Sequence, residues 1–128
     1  MSSSVLDASA LLALLNRETG HERVVRAIAD GAAIGAVNLS EVVAKLSERG
    51  ATEEEIRAAL DSFPLEVHEF HAELAYQTGL LRPLTRAAGL SMGDRACLAL
   101  ARTLDLPVVT AEREWGSLRL GITIQLIR

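Results

Sequence analysis

Long apolar runs, a second cysteine, a second lysine and a supply of aromatic rings are all missing from this 128-residue chain. The lone Cys97 excludes an internal disulfide framework and fits a reducing, cytoplasmic setting. No apolar stretch reaches membrane-spanning length, because Asn16, Glu41 and Arg95 break the longest candidates. The start MSSSVLD has no basic residue ahead of its apolar stretch, which argues against a signal peptide. With aromatics at 3%, no platform for stacking bases is visible, and Trp115 is expected to pack in the core. No repeat, low-complexity tract or Pro/Gly/Ser-rich linker divides the sequence, so one domain over residues 1–128 is expected.

Hydrophobic residues make up 49% of the chain, enough to drive folding. Seventeen acids against 13 Lys+Arg leave a net charge of −4, which on its face disfavours a nucleic-acid partner. Setting aside four acids discussed below leaves 13, equal to the basic count. Cations bound among those four would offset the excess, so the mildly acidic total does not forbid RNA. All basic residues but Lys45 are arginine, whose planar fork suits phosphate, although a compositional bias accounts for the preference better.

Strand-like and helix-like segments alternate. Ser3 to Leu6, Ala32 to Val37, Pro64 to His68, Pro107 to Thr110 and Ile122 to Ile127 read as strands. Helical spacing is found over Ala8 to Leu15, over His21 to Asp30, and from Ser40 to about Arg49, where Gly50 ends it. Thr52 and Glu55 have capping-box spacing at the head of a helix with Ile56, Ala59, Leu60 and Phe63 on one face. A further helix runs from about His71 to Leu81 and is interrupted by Pro83. Ser91 opens another, whose segment Ala96 to Ala101 is apolar nearly all round and therefore central. Such alternation predicts an α/β fold: a three-layer α/β/α sandwich around a mainly parallel sheet.

Four acids stand at strand-to-helix junctions of this pattern: Asp7, Glu41, Asp94 and Glu112. In open α/β sheets the ends of the strands gather at one edge, so separations of 34, 53 and 18 residues are no obstacle to their meeting. Each alone is explained by capping or by the helix dipole, and Ser91 to Asp94 also has capping-box spacing. Together they repel unless a cation is shared. Hard oxygen donors without Cys or paired His select Mg²⁺, with Mn²⁺ as a substitute, and point to phosphodiester chemistry.

The order Asp7-x-Ser9, Glu41 within NLSEV, Asp94 within GDRACLALA and an acid in VVTAEREW resembles the PIN-domain ribonucleases, and most nearly the VapC-type toxins of toxin–antitoxin pairs. The resemblance covers essentially the whole chain. It implies a PIN-like fold and a metal-dependent endoribonuclease that leaves a 5′-phosphate and a 3′-hydroxyl. Asp7, Asp94 and Glu112 would hold the metal, while Glu41 would ligate it or orient the attacking water. It also implies a cognate antitoxin covering the site and a second copy of this chain as a homodimer. The family has Asp where this chain has Glu112; the longer side chain leaves Glu114 as a competitor for that role.

Several neighbours fit two roles. Ser9 and Thr110 either orient the acids or cap. Asn38 is expected in a turn, with orientation of Glu41 as the other option. Arg95 fits a phosphate contact, a pair with a site carboxylate, or a plain helix surface, and Arg113 shares that ambiguity. Arg82 and Arg86 fit a solvated face better than an RNA track. His68 and His71 lack a third zinc ligand nearby. A phosphorylation receiver domain would need a lysine after a late strand, and Lys45 lies elsewhere. A PIN-like binding module that has lost turnover at Glu112 remains the alternative to the enzyme. The leucine-rich stretches Leu11 to Leu15, Val42 to Leu46 and Leu80–Leu81 are expected mainly in the core, with protein contacts as the other option.

Overall fold

Val5 and Leu6 are both fully buried, yet they join different hydrophobic clusters. Successive side chains of a strand point to opposite faces, so a strand buried on both sides must be covered by helices on both sides. The computed structural model describes residues 1–128 and shows this arrangement. Strand β1 (Ser4–Leu6) sits at the centre of a five-stranded sheet with β2 (Ala32–Gly35), β3 (Glu66–His68), β4 (Val108–Thr110) and β5 (Ile124–Leu126). The order is β3-β2-β1-β4-β5, and every pairing is parallel, with Leu6 opposite both Ile34 and Val109.

Helices α1 (Ala8–Leu15) and α2 (His21–Ala29) cover one face, where Leu6 and Val109 pack with Ala10, Ala13, Val24 and Ile28. On the other face α7 (Met92–Leu104) packs on Val5, Ala33 and Val108, with α5 (Ala72–Leu80) against α7 and the short α6 (Arg82–Thr85) against α5. Every residue from Ala96 to Ala101 in α7 is buried, as its unbroken apolar character predicts. Two further helices, α3 (Ala36–Glu48) and α4 (Glu53–Asp61), complete the fold. Val42 of α3 meets Leu11 and Ile34. No helix is long and apolar enough to cross a membrane.

The expected elements are present, with shifted ends. The main correction lies after β2, which stops at Gly35 rather than Val37, so that α3 begins at Ala36 and not at Ser40. The apolar run Ala32 to Val37 serves both elements: Gly35 is extended (φ −76°, ψ 151°), and Ala36 and Val37 already belong to the helix. Glu41 is therefore not at the helix start but one turn inside it. Strand β3 begins after Pro64 and Leu65, since proline cannot donate to the ladder. His71 caps α5, and Pro83 sits in the first turn of α6, where its missing N–H is not required. The Thr52–Glu55 capping box forms, with bonds of 2.9 and 3.2 Å.

Trp115, in a 3-10 helix (Arg113–Ser117) after β4, is 2% exposed and joins the cluster under α7. Trp115→Ala should destabilise the chain by about 3–5 kcal/mol in urea denaturation, as for other large buried aromatics. A loss below about 1 kcal/mol would show that the 3-10 segment is not anchored through this ring.

Candidate active site

The chain runs outward from β1 through β2 to β3, then crosses back to place β4 on the other side of β1. The crevice beyond the carboxyl ends of β1 and β4 is thus the point where strand order reverses, the usual ligand position in such sheets. Asp7 follows β1 directly and is 3% exposed. It is the N-cap of α1, accepting at Oδ1 from Ala10 N at 2.9 Å. Capping does not exhaust it. Ser9 Oγ reaches Oδ1 and Oδ2 at 2.8 and 2.9 Å, and Thr110 Oγ1 donates to Oδ2 at 2.6 Å. Both hydroxyls are themselves oriented by backbone donors, Ala111 N to Ser9 Oγ at 3.0 Å and Glu112 N to Thr110 Oγ1 at 2.9 Å. The segment after β4 is thereby tied to Asp7 through two hydroxyls.

These donors favour the charged carboxylate, but burial outweighs them. The Asp7 pKa is raised from 3.8 to about 6, first by loss of solvent and least by the nearby Glu112 charge.

Glu41 and Asp94 form a second group. Asn38, 2% exposed in the first turn of α3, donates from Nδ2 to Glu41 Oε1 at 2.8 Å and to the Gly93 carbonyl at 3.0 Å. This corrects the expected turn role, which followed from starting the helix four residues too late. Asp94 lies on α7 and completes a capping box, accepting at Oδ2 from Ser91 N at 3.0 Å while Ser91 Oγ accepts from Asp94 N at 3.1 Å. Glu41 is half-buried, and its pKa is raised by burial, with Asn38 opposing the rise and Asp94 adding to it. Glu112 is raised by desolvation of its carboxyl and by the charges of Asp94 and Glu114.

All four acids therefore lie within electrostatic reach in one neighbourhood, linked pairwise as Asp7–Glu112, Glu112–Asp94 and Asp94–Glu41. The thiol of Cys97, fully buried in α7, is pushed well up by burial and by Asp7, Asp94 and Glu41. No three Asp, Glu, His or Cys side chains stand close enough together to grip a metal ion as placed. The donor set still fits a hard cation. All the donors are oxygens, and Mg²⁺ typically takes one or two carboxylates and keeps several waters. The raised Asp7 is a carboxylate that a cation would stabilise.

Residues 4–119 match the sequence model of the PIN domain family. The chain is a PIN domain. No curated protein sequence matches it. Its fold is similar to a chain of the DNA-bound VapBC complex from Salmonella typhimurium, with a TM-score of 0.78, 21% identity and 100% of each chain covered. A toxin–antitoxin complex from Klebsiella pneumoniae gives 0.73 at 20% identity, covering 94% of this chain and 96% of that one. VapC20 of Mycobacterium tuberculosis, described as a sarcin–ricin loop cleaving toxin, gives 0.71 at 18% identity, covering 94% and 99%. At such identities the likeness is one of fold, and the fold is VapC-like.

Within this PIN domain the remaining candidates separate. Arg95 turns away from the carboxylates: its Nη1 lies 3.4 Å from the Thr78 carbonyl, its Nε is buried without a partner, and it forms no ion pair. It is neither a partner of a site acid nor a free surface arginine, because α5 packs over it. Arg113, Arg82 and Arg86 are exposed. His71 is a cap, accepting from Leu74 N at 3.2 Å, and His68 pairs with Glu66 on the edge strand. Glu112 and Glu114 are both exposed beyond β4. The residue that sequence reading missed is Gly93. A Cβ there would lie 2.6 Å from Glu41 Cδ and 2.7 Å from Oε1. Its signal was available as a glycine inside a helix, where close approach is a common reason.

The Asp7 shift gives a signed pH dependence. Below pH 3.8 the carboxyl is protonated folded and unfolded, and burial costs nothing extra. As pH rises through about 6, ionisation is harder in the folded state, and stability falls. With chelator present, Asp7→Asn should gain on the natural chain between pH 4 and 7.5, by up to about 3 kcal/mol. A stability gap that does not change with pH would contradict the burial account.

Proposed function

We propose that this PIN domain is a Mg²⁺-dependent endoribonuclease, with Mn²⁺ as a substitute, acting as the toxin of a toxin–antitoxin pair. The observation that carries the reading is Asp7. Its nearly inaccessible carboxylate at the β1–β4 crevice is braced by Ser9 and Thr110 and shares its neighbourhood with three further acids. Asp7, Asp94 and Glu112 would hold the cation, directly or through water. Bound there, it supplies Lewis-acid charge that lowers the pKa of water and offsets charge on the phosphodiester.

The chain's own groups do the rest. Ser9 and Thr110 keep the Asp7 oxygens turned by donating to them. Glu41, held by Asn38, offers its carboxylate to orient the attacking water and accept its proton. Water oxygen bonds to phosphorus, the O3′ bond breaks, and the proton passes to O3′, leaving a 5′-phosphate and a 3′-hydroxyl. Exposed Arg113, one residue after Glu112, supplies positive charge for RNA on a chain of net charge −4.

Two apolar surfaces support the partner reading. A groove of about 690 Å³ between α3, α4 and β3, lined by Leu39, Val43, Ile56, Leu60 and Phe63, fits an amphipathic antitoxin helix. Tyr76, Leu80 and Leu84 are 72, 63 and 64% exposed on α5 and α6 and offer a face to a second copy. A second reading, a PIN-like module that binds RNA or antitoxin without turnover, is favoured by one observation: no three carboxylates are drawn together around a cation position.

Mapping of 5′-phosphate ends in cells after induction, followed by cleavage of the mapped RNA in vitro, decides between them. The enzyme reading expects Mg²⁺- or Mn²⁺-dependent cuts, abolished by chelation and reduced at least about 100-fold by Asp94→Asn. Binding of RNA or antitoxin with no cuts in either setting would establish the second reading.

A further inference from the structure

One buried amide joins α3 to α7 beside the acids. Asn38 Nδ2 reaches Glu41 Oε1, three residues along the same helix, and the carbonyl of Gly93, 55 residues away. Both partners are acceptors, so the amide can face them only with its nitrogen. Asn38 Oδ1 is then turned into the interior, where it has no donor. What the arrangement does achieve is to place the Glu41 carboxylate in the frame of α7, immediately before Asp94.

Gly93 forms the other wall. Its backbone is ordinary helix, not the left-handed region, so no conformational freedom calls for glycine. Space does: the Glu41 carboxylate lies against its Cα, and an added methyl would overlap Cδ, Oε1 and Oε2. Alanine would favour the helix more than glycine does, so the gap weakens α7 locally while admitting the carboxylate.

We propose that Asn38 and Gly93 are positioning residues that together form a seat for Glu41. The amide holds one carboxylate oxygen and the absent side chain makes room for both, which sets Glu41 at a fixed spacing from Asp94. The effect on cleavage rests on the nuclease reading, whereas the seat itself does not. Neither residue touches substrate; both act through Glu41.

The test is a pair of mutant cycles: Asn38→Ala and Gly93→Ala, each in the natural chain and in Glu41→Ala, with melting temperature, Mn²⁺ affinity by calorimetry, and kcat and KM for RNA cleavage as readouts. Gly93→Ala should raise the melting temperature less in the natural chain, where Glu41 must be displaced, than in Glu41→Ala, where only the helix gain remains. Asn38→Ala should weaken Mn²⁺ binding and lower kcat by about 10-fold or more, with KM nearly constant, and should do neither further in Glu41→Ala. Equal effects of each substitution in both backgrounds would overturn the seat, because a merely structural residue does not depend on Glu41. Should Asn38→Ala fail to fold, the Gly93→Ala cycle decides by melting temperature alone. If the natural chain cleaves nothing, the nuclease reading fails, while the melting-temperature cycles still decide the seat.

Discussion

Burying a carboxylate at the end of the central strand is the constraint on which the rest of this fold turns. Asp7 comes immediately after β1, between the ends of β2 and β4, so it has sheet on either side and α1 above it. An ionised group there is costly unless it is hydrogen-bonded and balanced by charge. The hydrogen bonds come from Ala10, Ser9 and Thr110, and each requires particular geometry: α1 starting at once, and β4 adjacent to β1 in parallel register. Three donors still leave the pKa near 6, so the hydrogen-bond part of the demand is met and the charge part is not. The divalent cation proposed above would supply that charge.

The other acids are arranged around that demand without being clasped. Asp94 is engaged with the Ser91 backbone, Glu41 is seated between Asn38 and Gly93, and Glu112 is exposed past Thr110. Capping and the proposed metal binding, which compete as explanations for one acid, are compatible here. Asp7 and Asp94 both cap a helix, and each capping carboxylate has a second oxygen or lone pairs beyond the cap. The helix start that needs a carboxylate for its own N–H groups also fixes where that carboxylate stands.

This compatibility explains what could be read from the sequence. The α/β alternation, the five strands and the gathering of four acids at one edge follow from apolar periodicity and the rules of parallel sheets. The boundary after β2 did not, because Ala32 to Val37 is apolar whether it is strand or helix, and spacing cannot separate the two over so short a run. From that boundary came the misplacement of Asn38 in a turn and of Glu41 at a helix start. The pairing of Arg95 with a site carboxylate fails for a different reason. Its position beside Asp94 suggested a shared direction, but adjacent residues on a helix point about 100° apart, and Arg95 turns toward Thr78. Gly93 was legible only as a glycine inside a helix; that its missing side chain makes room for Glu41 takes the three-dimensional neighbour to reveal.

The central claim is that this edge is built for a divalent cation, and thermal unfolding under a Mg²⁺ titration at pH 7.5 tests it most directly. The account predicts a saturating rise of several degrees in melting temperature for the natural chain, as expected when a ligand binds only the folded state. The rise should be largely lost in Asp7→Asn, where the buried charge is gone. A melting temperature indifferent to Mg²⁺, or one that rises equally in Asp7→Asn, would contradict it.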